Sequence, residues 1–371
     1  MAGPVVITGG GTGGHIFPMQ AIAEQLQARG LRDEQLRFVG SRRGQEEALL
    51  GAGGVALTLL PGRGIRRSLS LGALVDNVAA LAGLLAALGV ATAKVARWRP
   101  AVVVSVGGYA SFAVSLAAVI WRRPLVLVEF DAVPGASHRL LARFATRRCT
   151  AFATNKERCV TTGAPIRSSV GAVDRSLAAR RAARLAQEEP IDPERGVVVV
   201  MTGSLGSARV NHAVNALAGL WAHRGDRTLI HVTGRRDFEE MSRLRPVTAE
   251  LDYRLVEFAD MSALWAVCDV AVCRSGAMSI AELTALGIAS VLVPLPGAPG
   301  DHQTRNAERV VRAGGARMIV DAQCSAEALA RVLDEMMEPS TLAALSDAAR
   351  SLGRLDAASA IAQVVCDVGG L

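Results

Sequence analysis

Residues 7–15 read Ile7-Thr8-Gly9-Gly10-Gly11-Thr12-Gly13-Gly14-His15, and this stretch decides the fold of the chain. Apolar residues before it favour a β-strand, and apolar residues after it recur with helical spacing, which predicts a strand, a glycine-rich turn and a helix. Because glycine has no Cβ, the backbone of such a turn can approach a ligand closely. The helix directs free N–H groups and the positive end of its dipole at that ligand, which indicates a phosphate or diphosphate site with His15 beside it.

Length and composition predict an α/β protein with two domains. The chain has 371 residues, of which 50% are hydrophobic and only 4% aromatic, and this is too long for one ordinary core. Strand-like runs alternate with helical stretches in both halves, so we predict two parallel, doubly wound sheets that bind ligands at the carboxyl ends of their strands. After the first strand, the predicted strands are 36–39, 55–60, 101–106, 124–128 and 149–153 in the first half and 196–201, 228–232, 253–256, 270–272 and 290–293 in the second. We place an N-terminal domain at 1–165, a C-terminal domain at 166–350, and at 351–371 a last helix that crosses back.

Cysteine spacing and charge limit the cellular compartments and the binding partners that we expect for the protein. The six cysteines form no C-x-x-C pair, which favours a reducing compartment such as the cytoplasm and disfavours structural zinc. Of the net charge of +7, residues 1–165 hold 19 Lys plus Arg against 9 Asp plus Glu, and the remainder holds 22 against 25. No nucleic-acid motif or interleaved aromatic residues accompany the basic half, so we expect no nucleic-acid partner. An anionic membrane surface or an anionic substrate fits better.

The most apolar stretch lies between Leu71 and Trp98. Its core, from Val78 to Ala93, is shorter than the roughly 20 residues that span a bilayer, so we expect no transmembrane helix. A buried helix and a helix at the membrane interface both remain open, and nearby basic residues favour peripheral attachment to an anionic leaflet. These basic residues are Arg63, Arg66, Arg67, Arg122, Arg123, Arg139, Arg143, Arg147 and Arg148.

Two further features of the N-terminal half follow predicted strands. The turn that contains Gly107, Gly108 and Tyr109 could face a second anionic group such as a lipid diphosphate, or could simply need positive φ. Glu129 and Asp131 follow the next strand. Each could be a base or a ligand of hydroxyl groups, and Asp131 could instead cap a helix before Pro134.

The C-terminal half repeats this plan. A third glycine turn, Thr202-Gly203-Ser204-Leu205-Gly206-Ser207, follows a run of valines, and Ser204 can add a hydroxyl donor to its N–H groups. Glu282 lies in the first turns of an apolar helix, where a carboxylate can accept from ribose hydroxyls or merely complement the dipole. Gln303 could bind sugar hydroxyls through its amide.

Six motifs, in order and spacing, resemble the MurG family, the peptidoglycan N-acetylglucosaminyltransferases. They are residues 9–18 (Gly-Gly-Gly-Thr-Gly-Gly-His-Ile-Phe-Pro), 107–109 (Gly-Gly-Tyr), 162–167 (Thr-Gly-Ala-Pro-Ile-Arg), 203–206 (Gly-Ser-Leu-Gly), 273–277 (Cys-Arg-Ser-Gly-Ala) and 301–307 (Asp-His-Gln-Thr-Arg-Asn-Ala). The resemblance implies a GT-B fold, two Rossmann-like doubly wound domains that face each other across a cleft. It also implies transfer of N-acetylglucosamine from UDP-N-acetylglucosamine to lipid I, with inversion, to form lipid II at the cytoplasmic face of the plasma membrane.

The resemblance also assigns roles to residues. It implies that Arg167 and Ser204 contact the donor diphosphate, Glu282 the ribose and Gln303 the N-acetylglucosamine. Ala277, Met278, Ser279, Ile280 and Ala281 would line the nucleotide site, Ala259 or Met261 would lie near uracil, and Thr12, Gly13 and Gly14 would approach the donor sugar. His15 is the general-base candidate, because its near-neutral pKa suits removal of the acceptor hydroxyl proton, and Glu129 is the alternative. Arg167 and helix N-termini would meet the leaving-group charge, without a metal or cofactor.

The chain departs from the family at two motifs. Val128-Glu129-Phe130-Asp131 replaces the usual His-Glu-Gln-Asn, so Asp131 keeps an acceptor and loses an amide donor, and the third glycine turn has Leu205 where a polar residue is usual. Two other functions stay open. One is a related GT-B transferase for another glycolipid or a secondary metabolite. The other is an NADP-dependent oxidoreductase, since Gly9, Gly11 and Gly14 satisfy G-x-G-x-x-G, although the second strand lacks the ribose-binding acid.

Overall fold

A computed structural model describes residues 3–10, 13–51, 53–61, 71–203 and 206–371 of the chain. The chain divides into two compact units. The first unit consists of Met1–Arg167 together with Asp356–Leu371, and the second unit of Ser168–Leu355. Arg167 and the residues from 356 onward therefore belong to the first unit.

The first unit is a seven-stranded parallel sheet with helices around it. Its strands are β1 (Val5–Thr8), β2 (Leu36–Ser41), β3 (Ala56–Leu60), β4 (Val102–Ser105), β5 (Leu125–Glu129), β6 (Arg147–Thr150) and β7 (Cys159–Thr161). They lie in the order β3-β2-β1-β4-β5-β6-β7. Its helices are α1 (Gly13–Gln27), α2 (Glu46–Leu50), α3 (Leu71–Trp98), α4 (Tyr109–Ile120), α5 (Ala136–Leu141) and, near the chain end, α15 (Ala357–Gly369).

Burial explains why this sheet forms. The Val5–Thr8 strand is buried along its whole length between β2 and β4, and β4 and β5 are equally apolar and buried. In a parallel sheet with helices on both faces, both sides of each strand are buried, so the sequence of the strand is a continuous apolar run. The order of the strands reverses between β1 and β4, and in doubly wound sheets ligands bind at the carboxyl ends of the strands beside this point.

Helix α3 covers one face of the first unit. Ala87, Ala91 and Val95 on one side of it are buried in the core with α4, whereas Leu81 and Leu85 on the other side are more than half exposed. The helical segment Ala80–Trp98 is long and apolar enough, by length and composition, to cross a membrane, although a core helix passes the same test. The sequence-based argument that this stretch is too short to span a bilayer was therefore wrong, because the helix continues beyond Ala93.

The second unit has a six-stranded parallel sheet in the order β10-β9-β8-β11-β12-β13. The strands are β8 (Gly196–Met201), β9 (Arg227–Val232), β10 (Asp252–Val256), β11 (Val270–Cys273), β12 (Ala289–Leu292) and β13 (Ala316–Met318). The helices are α6 (Ser168–Gly171), α7 (Leu177–Leu185), α8 (Ala208–Leu220), α9 (Phe238–Arg243), α10 (Met261–Val267), α11 (Ala277–Leu286), α12 (His302–Arg312), α13 (Ala326–Met336) and α14 (Pro339–Leu352). The two doubly wound sheets confirm the predicted fold class.

Candidate active site

Two glycine turns of the first unit meet at the carboxyl ends of β1 and β4. Gly107 and Gly108 have φ values of +101° and +91°, which favour glycine. A Cβ built on Gly108 would lie 2.5 Å from the carbonyl oxygen of Gly10. The two backbones can approach this closely only because Gly108 has no side chain. Thr12, which the resemblance places near the donor sugar, lies outside the described residues, and Gly13 begins α1.

His15 lies in the first turn of α1 and is half-buried. Its Nδ1 atom is buried and has no hydrogen-bond partner in the described part of the chain. Its Nε2 atom would lie 3.2 Å from a Cβ on Gly107, and its ring centroid lies 6.2 Å from that of Phe130. The ring is therefore held between the second glycine turn and the segment after β5, at the switch point of the sheet.

The surroundings of His15 favour its neutral form. Burial lowers the pKa of His15 below its usual value of 6.5, while the charges of Asp131 and Glu46 oppose this shift. Glu46 is fully buried on α2, and its Oε1 accepts a hydrogen bond of 2.8 Å from the backbone N–H of Ser41. A neutral imidazole with an available nitrogen can accept a proton, so the pKa shift suits a general base.

The lowered pKa predicts the pH dependence of the reaction. A base must be deprotonated to act, so we expect kcat/KM to hold as pH falls through 6.5 and to decline only at lower pH. Asp131→Asn removes a charge that raises the pKa of His15. This variant should therefore move the acidic limb of the pH–rate profile to still lower pH. An acidic limb that moves to higher pH in Asp131→Asn would contradict the assignment of His15 as the general base.

His138 on α5 is a second histidine at this site, and the sequence analysis missed it. Its Nε2 lies 3.0 Å from the hydroxyl of Ser105 at the end of β4. Burial, together with the charges of His15 and Arg148, lowers the pKa of His138 to about 3. His138 therefore stays neutral at ordinary pH and adds no positive charge beside His15. In the sequence, His138 is marked as a site residue only by its position in the segment that follows β5.

Glu129 ends β5 in a buried ion pair with Arg148 on β6. The Arg148 guanidinium donates to both carboxylate oxygens, at 2.8 and 3.0 Å from Nη2 and 3.2 Å from Nε. A carboxylate held in this way is a poor proton acceptor, so the geometry favours His15 over Glu129 as the base. The prediction that Arg148 belongs to a basic membrane-facing surface was wrong, because its side chain is buried.

Tyr109, Arg167 and Asp131 are the other predicted side chains of the first unit. Tyr109 begins α4, and its hydroxyl is buried with no hydrogen-bond partner among the described residues. The half-buried Arg167 lies with its guanidinium carbon 4.6 Å from the ring centroid of Phe17 on α1. Asp131 does not cap α5, because the residue that precedes this helix is Gly135.

In the second unit, the third glycine turn follows β8. Gly203 and Gly206 have φ values of +97° and +75°, and the N–H of Gly206 donates to the carbonyl of Gly203 at 2.9 Å. Ser204 and Leu205 lie outside the described residues. Ser207, which precedes α8, accepts a hydrogen bond of 2.6 Å from Arg274. Arg274 therefore ties the turn after β8 to the end of the neighbouring strand β11.

Glu282 lies on α11, which begins directly after the turn that follows β11. Its side chain is buried, and Oε2 accepts a hydrogen bond of 2.9 Å from the indole Nε1 of Trp265 on α10. Trp265 fixes the orientation of the carboxylate, and the sequence analysis did not anticipate this contact. The half-buried residues Ala277, Met278 and Ser279, with Ile280 and Ala281, form the first turns of the same helix. Their N–H groups provide the positive end of a helix dipole at the edge of the sheet.

The remaining predicted donor residues also lie in the second unit. Ala259 and Met261, at the start of α10, are partly exposed. Gln303 is the second residue of α12, and its Oε1 accepts a hydrogen bond of 2.9 Å from the N–H of Leu295. This contact leaves the amide NH2 group of Gln303 to donate to a ligand. Among the described residues, no cluster of three or more His, Cys, Asp or Glu side chains could hold a metal ion.

Both units match known families. Residues 5–150 match the glycosyltransferase family 28 N-terminal domain, and residues 197–363 match the family 28 C-terminal domain. The chain is 36% identical to the UDP-N-acetylglucosamine--N-acetylmuramyl-(pentapeptide) pyrophosphoryl-undecaprenol N-acetylglucosamine transferase of Alkalilimnicola ehrlichii, over 98% of each chain.

Two solved structures share the fold. MurG of Acinetobacter baumannii matches with a TM-score of 0.75 and 23% identity, over 98% of this chain and 99% of that one. The glycosyltransferase of kitacinnamycin matches with a TM-score of 0.72 and 18% identity, over 99% and 100%. These two likenesses concern the GT-B fold alone, whereas the full-length identity of 36% shows the family. The chain belongs to glycosyltransferase family 28 and, within it, to the MurG family.

Proposed function

We propose that this glycosyltransferase moves N-acetylglucosamine from UDP-N-acetylglucosamine to lipid I and so forms lipid II for peptidoglycan. The observation that carries the proposal is the 36% identity, over 98% of the chain, to the Alkalilimnicola ehrlichii transferase. The acceptor hydroxyl oxygen attacks C1 of the donor sugar, His15 takes the hydroxyl proton, and the C1–O bond to UDP breaks with inversion. UDP leaves with the electron pair.

The two units have different parts in this proposal. The second unit binds the donor, with the glycine turn after β8 and the first turn of α11 on the diphosphate side and Glu282 on the ribose. The first unit supplies His15 and Arg167, and its paired glycine turns receive the acceptor. Support comes from strand order: His15 and Glu282 lie on the helices that follow β1 and β11, and each of these strands borders a switch point.

A complementation experiment tests the proposal in cells. Expression of this chain should restore growth to bacteria depleted of their own lipid II-forming transferase, and an equal amount of the His15→Ala variant should not. Growth that fails with the wild-type chain at a normal protein level would favour another acceptor.

Donor binding by Glu282 gives a separate prediction. Glu282→Gln keeps an acceptor for Trp265 and removes the charge, so the Kd for UDP should rise about tenfold, as expected for a lost charge-assisted hydrogen bond. Calorimetry with UDP measures this change. Glu308→Gln, which alters an exposed glutamate on α12, is the matched control and should leave the Kd unchanged. An unaltered Kd in Glu282→Gln would remove the ribose assignment.

We also propose peripheral attachment to the cytoplasmic face of the plasma membrane through the exposed side of α3. Leu81 and Leu85 are 53% and 62% exposed, and the indole Nε1 of the half-exposed Trp121 donates to the Thr92 carbonyl on the same helix. Exposed basic residues, Lys94, Arg97, Arg122, Arg139, Arg143 and Arg147, accompany this apolar surface. Apolar and basic groups together bind an anionic leaflet. Arg63, Arg66 and Arg67 lie outside the described residues.

Vesicle binding tests this attachment. Leu85→Glu should weaken co-sedimentation with vesicles of anionic phospholipid about tenfold or more, because burial of one leucine contributes about 1.5–3 kcal/mol. Leu244→Glu in the second unit changes a leucine of similar exposure, 52%, and should have no effect. Equal loss in both variants would contradict a specific role for α3.

A further inference from the structure

An arginine-rich cavity of about 630 Å³ lies in the second unit, away from the glycine turns. We call it the arginine pocket; its lining includes Arg175, Arg180, Arg184, Arg195, Arg227 and Arg350. Gly196 at the start of β8 and Gly287 just before β12 also line it. The arginine pocket therefore lies at the amino ends of the strands, the opposite edge of the sheet from the proposed donor site.

The positive charge of this pocket exceeds the negative charge. Seven arginines line it, against the four carboxylates of Glu194, Asp226, Asp269 and Asp347. The Asp269 carboxylate pairs with two of these arginines. It forms an ion pair with Arg180 and another, at 2.5 Å, with Arg184. The same carboxylate accepts from the backbone N–H of Val197 at 2.8 Å. Its capacity as an acceptor is thus largely used within the protein.

Among the described residues, no carboxylate lies within ion-pair distance of Arg175, which is half-buried. It donates to the carbonyl oxygens of Trp265 and Cys268, both at 2.6 Å, and its Nε is buried without a hydrogen-bond partner. Carbonyl groups satisfy N–H donors but do not neutralise the positive charge. Burial is the main cause that lowers the pKa of Arg175 to about 10; the charges of Arg180 and Arg350 act in the same direction, and that of Asp269 acts against it. A multiply charged anion in the pocket would relieve this repulsion.

Arg350 on α14 stands at the mouth of the pocket. Its side chain is exposed and forms no ion pair with any residue that the structure describes. Its Nη2 would lie 2.8 Å from a Cβ on Gly287, a residue with φ of +62°. The absence of a side chain at Gly287 lets the guanidinium lie flat against the end of α11, and its planar set of donors suits a phosphate group.

We propose that the arginine pocket is a second anion site, separate from the donor site, that binds a small phosphate-bearing anion. Arg175 and Arg350 line the pocket and form no ion pair within the described part of the chain. Guanidinium groups bind phosphate oxygens through paired hydrogen bonds, so a diphosphate fits the pocket better than a monovalent anion.

Pyrophosphate is the probe that tests this proposal, with the donor site filled by saturating UDP. Calorimetry on the full chain should then still detect one pyrophosphate site. Arg350→Ala should weaken that site about tenfold, the loss expected for one charge-assisted contact, without change in UDP affinity. Arg243→Ala, at an exposed arginine of α9, is the matched control and should leave pyrophosphate binding unchanged.

Two results would overturn the proposal: complete displacement of pyrophosphate by UDP, or equal pyrophosphate affinity in Arg350→Ala and the wild type. Arg350 is the variant of choice because Arg175 contacts Trp265, which holds Glu282. The Glu282→Gln variant separates the two sites further. It should weaken UDP and keep the pyrophosphate site, so the anion proposal can fail or succeed independently of the donor assignment.

Discussion

Replacement of His15 by alanine should lower kcat about 10²- to 10⁴-fold, the usual loss when a general base is removed. The affinity for UDP should change little, because His15 is proposed to act on the acceptor hydroxyl and not on the nucleotide. The expectation rests on a half-buried imidazole at the switch point of the first sheet, with a lowered pKa. Steady-state kinetics and calorimetry with UDP measure the two quantities on the same protein.

A matched control for this variant is His212→Ala. His212 is a half-exposed histidine in the second unit, where it pairs with Glu240 at 3.4 Å, and its replacement should leave kcat unchanged. Near-normal kcat in His15→Ala would transfer the role of base to Asp131 or Glu129. Loss of UDP affinity in His15→Ala would show that His15 acts on the donor instead.

Replacement of Arg148 by methionine should destabilise the first unit by about 3–5 kcal/mol, because it leaves the buried Glu129 carboxylate without a counter-ion. The ion pair is inaccessible to solvent: the side chains of Arg148 and Glu129 are 11% and 4% exposed. Chemical denaturation, followed by a probe of the first unit, measures the loss. The double variant Arg148→Met with Glu129→Gln has no unpaired buried charge and should therefore recover part of the lost stability.

Arg147→Met is the control for that measurement. Arg147 directly precedes Arg148, is the first residue of β6 and is exposed. Its replacement should therefore change the free energy of unfolding by no more than about 0.5 kcal/mol. An equal loss of stability in Arg148→Met and Arg147→Met would mean that the buried ion pair does not stabilise the first unit specifically.

The two arginines also illustrate the limits of prediction from sequence. Consecutive residues of a strand point to opposite faces, so one of Arg147 and Arg148 must point inward once β6 begins at Arg147. The sequence analysis began this strand at Cys149 and placed both arginines on the surface. In the observed register Arg148 lies opposite Leu127, on the face that also carries Glu129, and a correct strand start would have pointed to the ion pair.

Most strands were predicted from their apolar runs, and two were missed. β7 and β13 have only three residues each, include polar side chains and lie at the ends of their sheets. Such short strands depend on pairing with a neighbour, which a local pattern does not reveal. The strands next to the switch points, by contrast, are buried on both faces and carry a strong signal.

The site was predictable where glycines and titratable residues are adjacent in the chain. His15 was identified because it follows the first glycine turn directly. His138, Glu46 and Trp265 reach the site or its carboxylates from separate helices, through contacts that depend on packing. No spacing in the sequence relates these residues to the turns, so only the structure could identify them.

Transfer of radiolabelled N-acetylglucosamine from UDP-N-acetylglucosamine to a lipid I analogue, in detergent with EDTA present, tests the central claim most directly. We predict labelled lipid II in the wild type and a large loss of product in His15→Ala. A chain that binds UDP-N-acetylglucosamine by calorimetry and yet forms no product with lipid I would contradict the proposed acceptor.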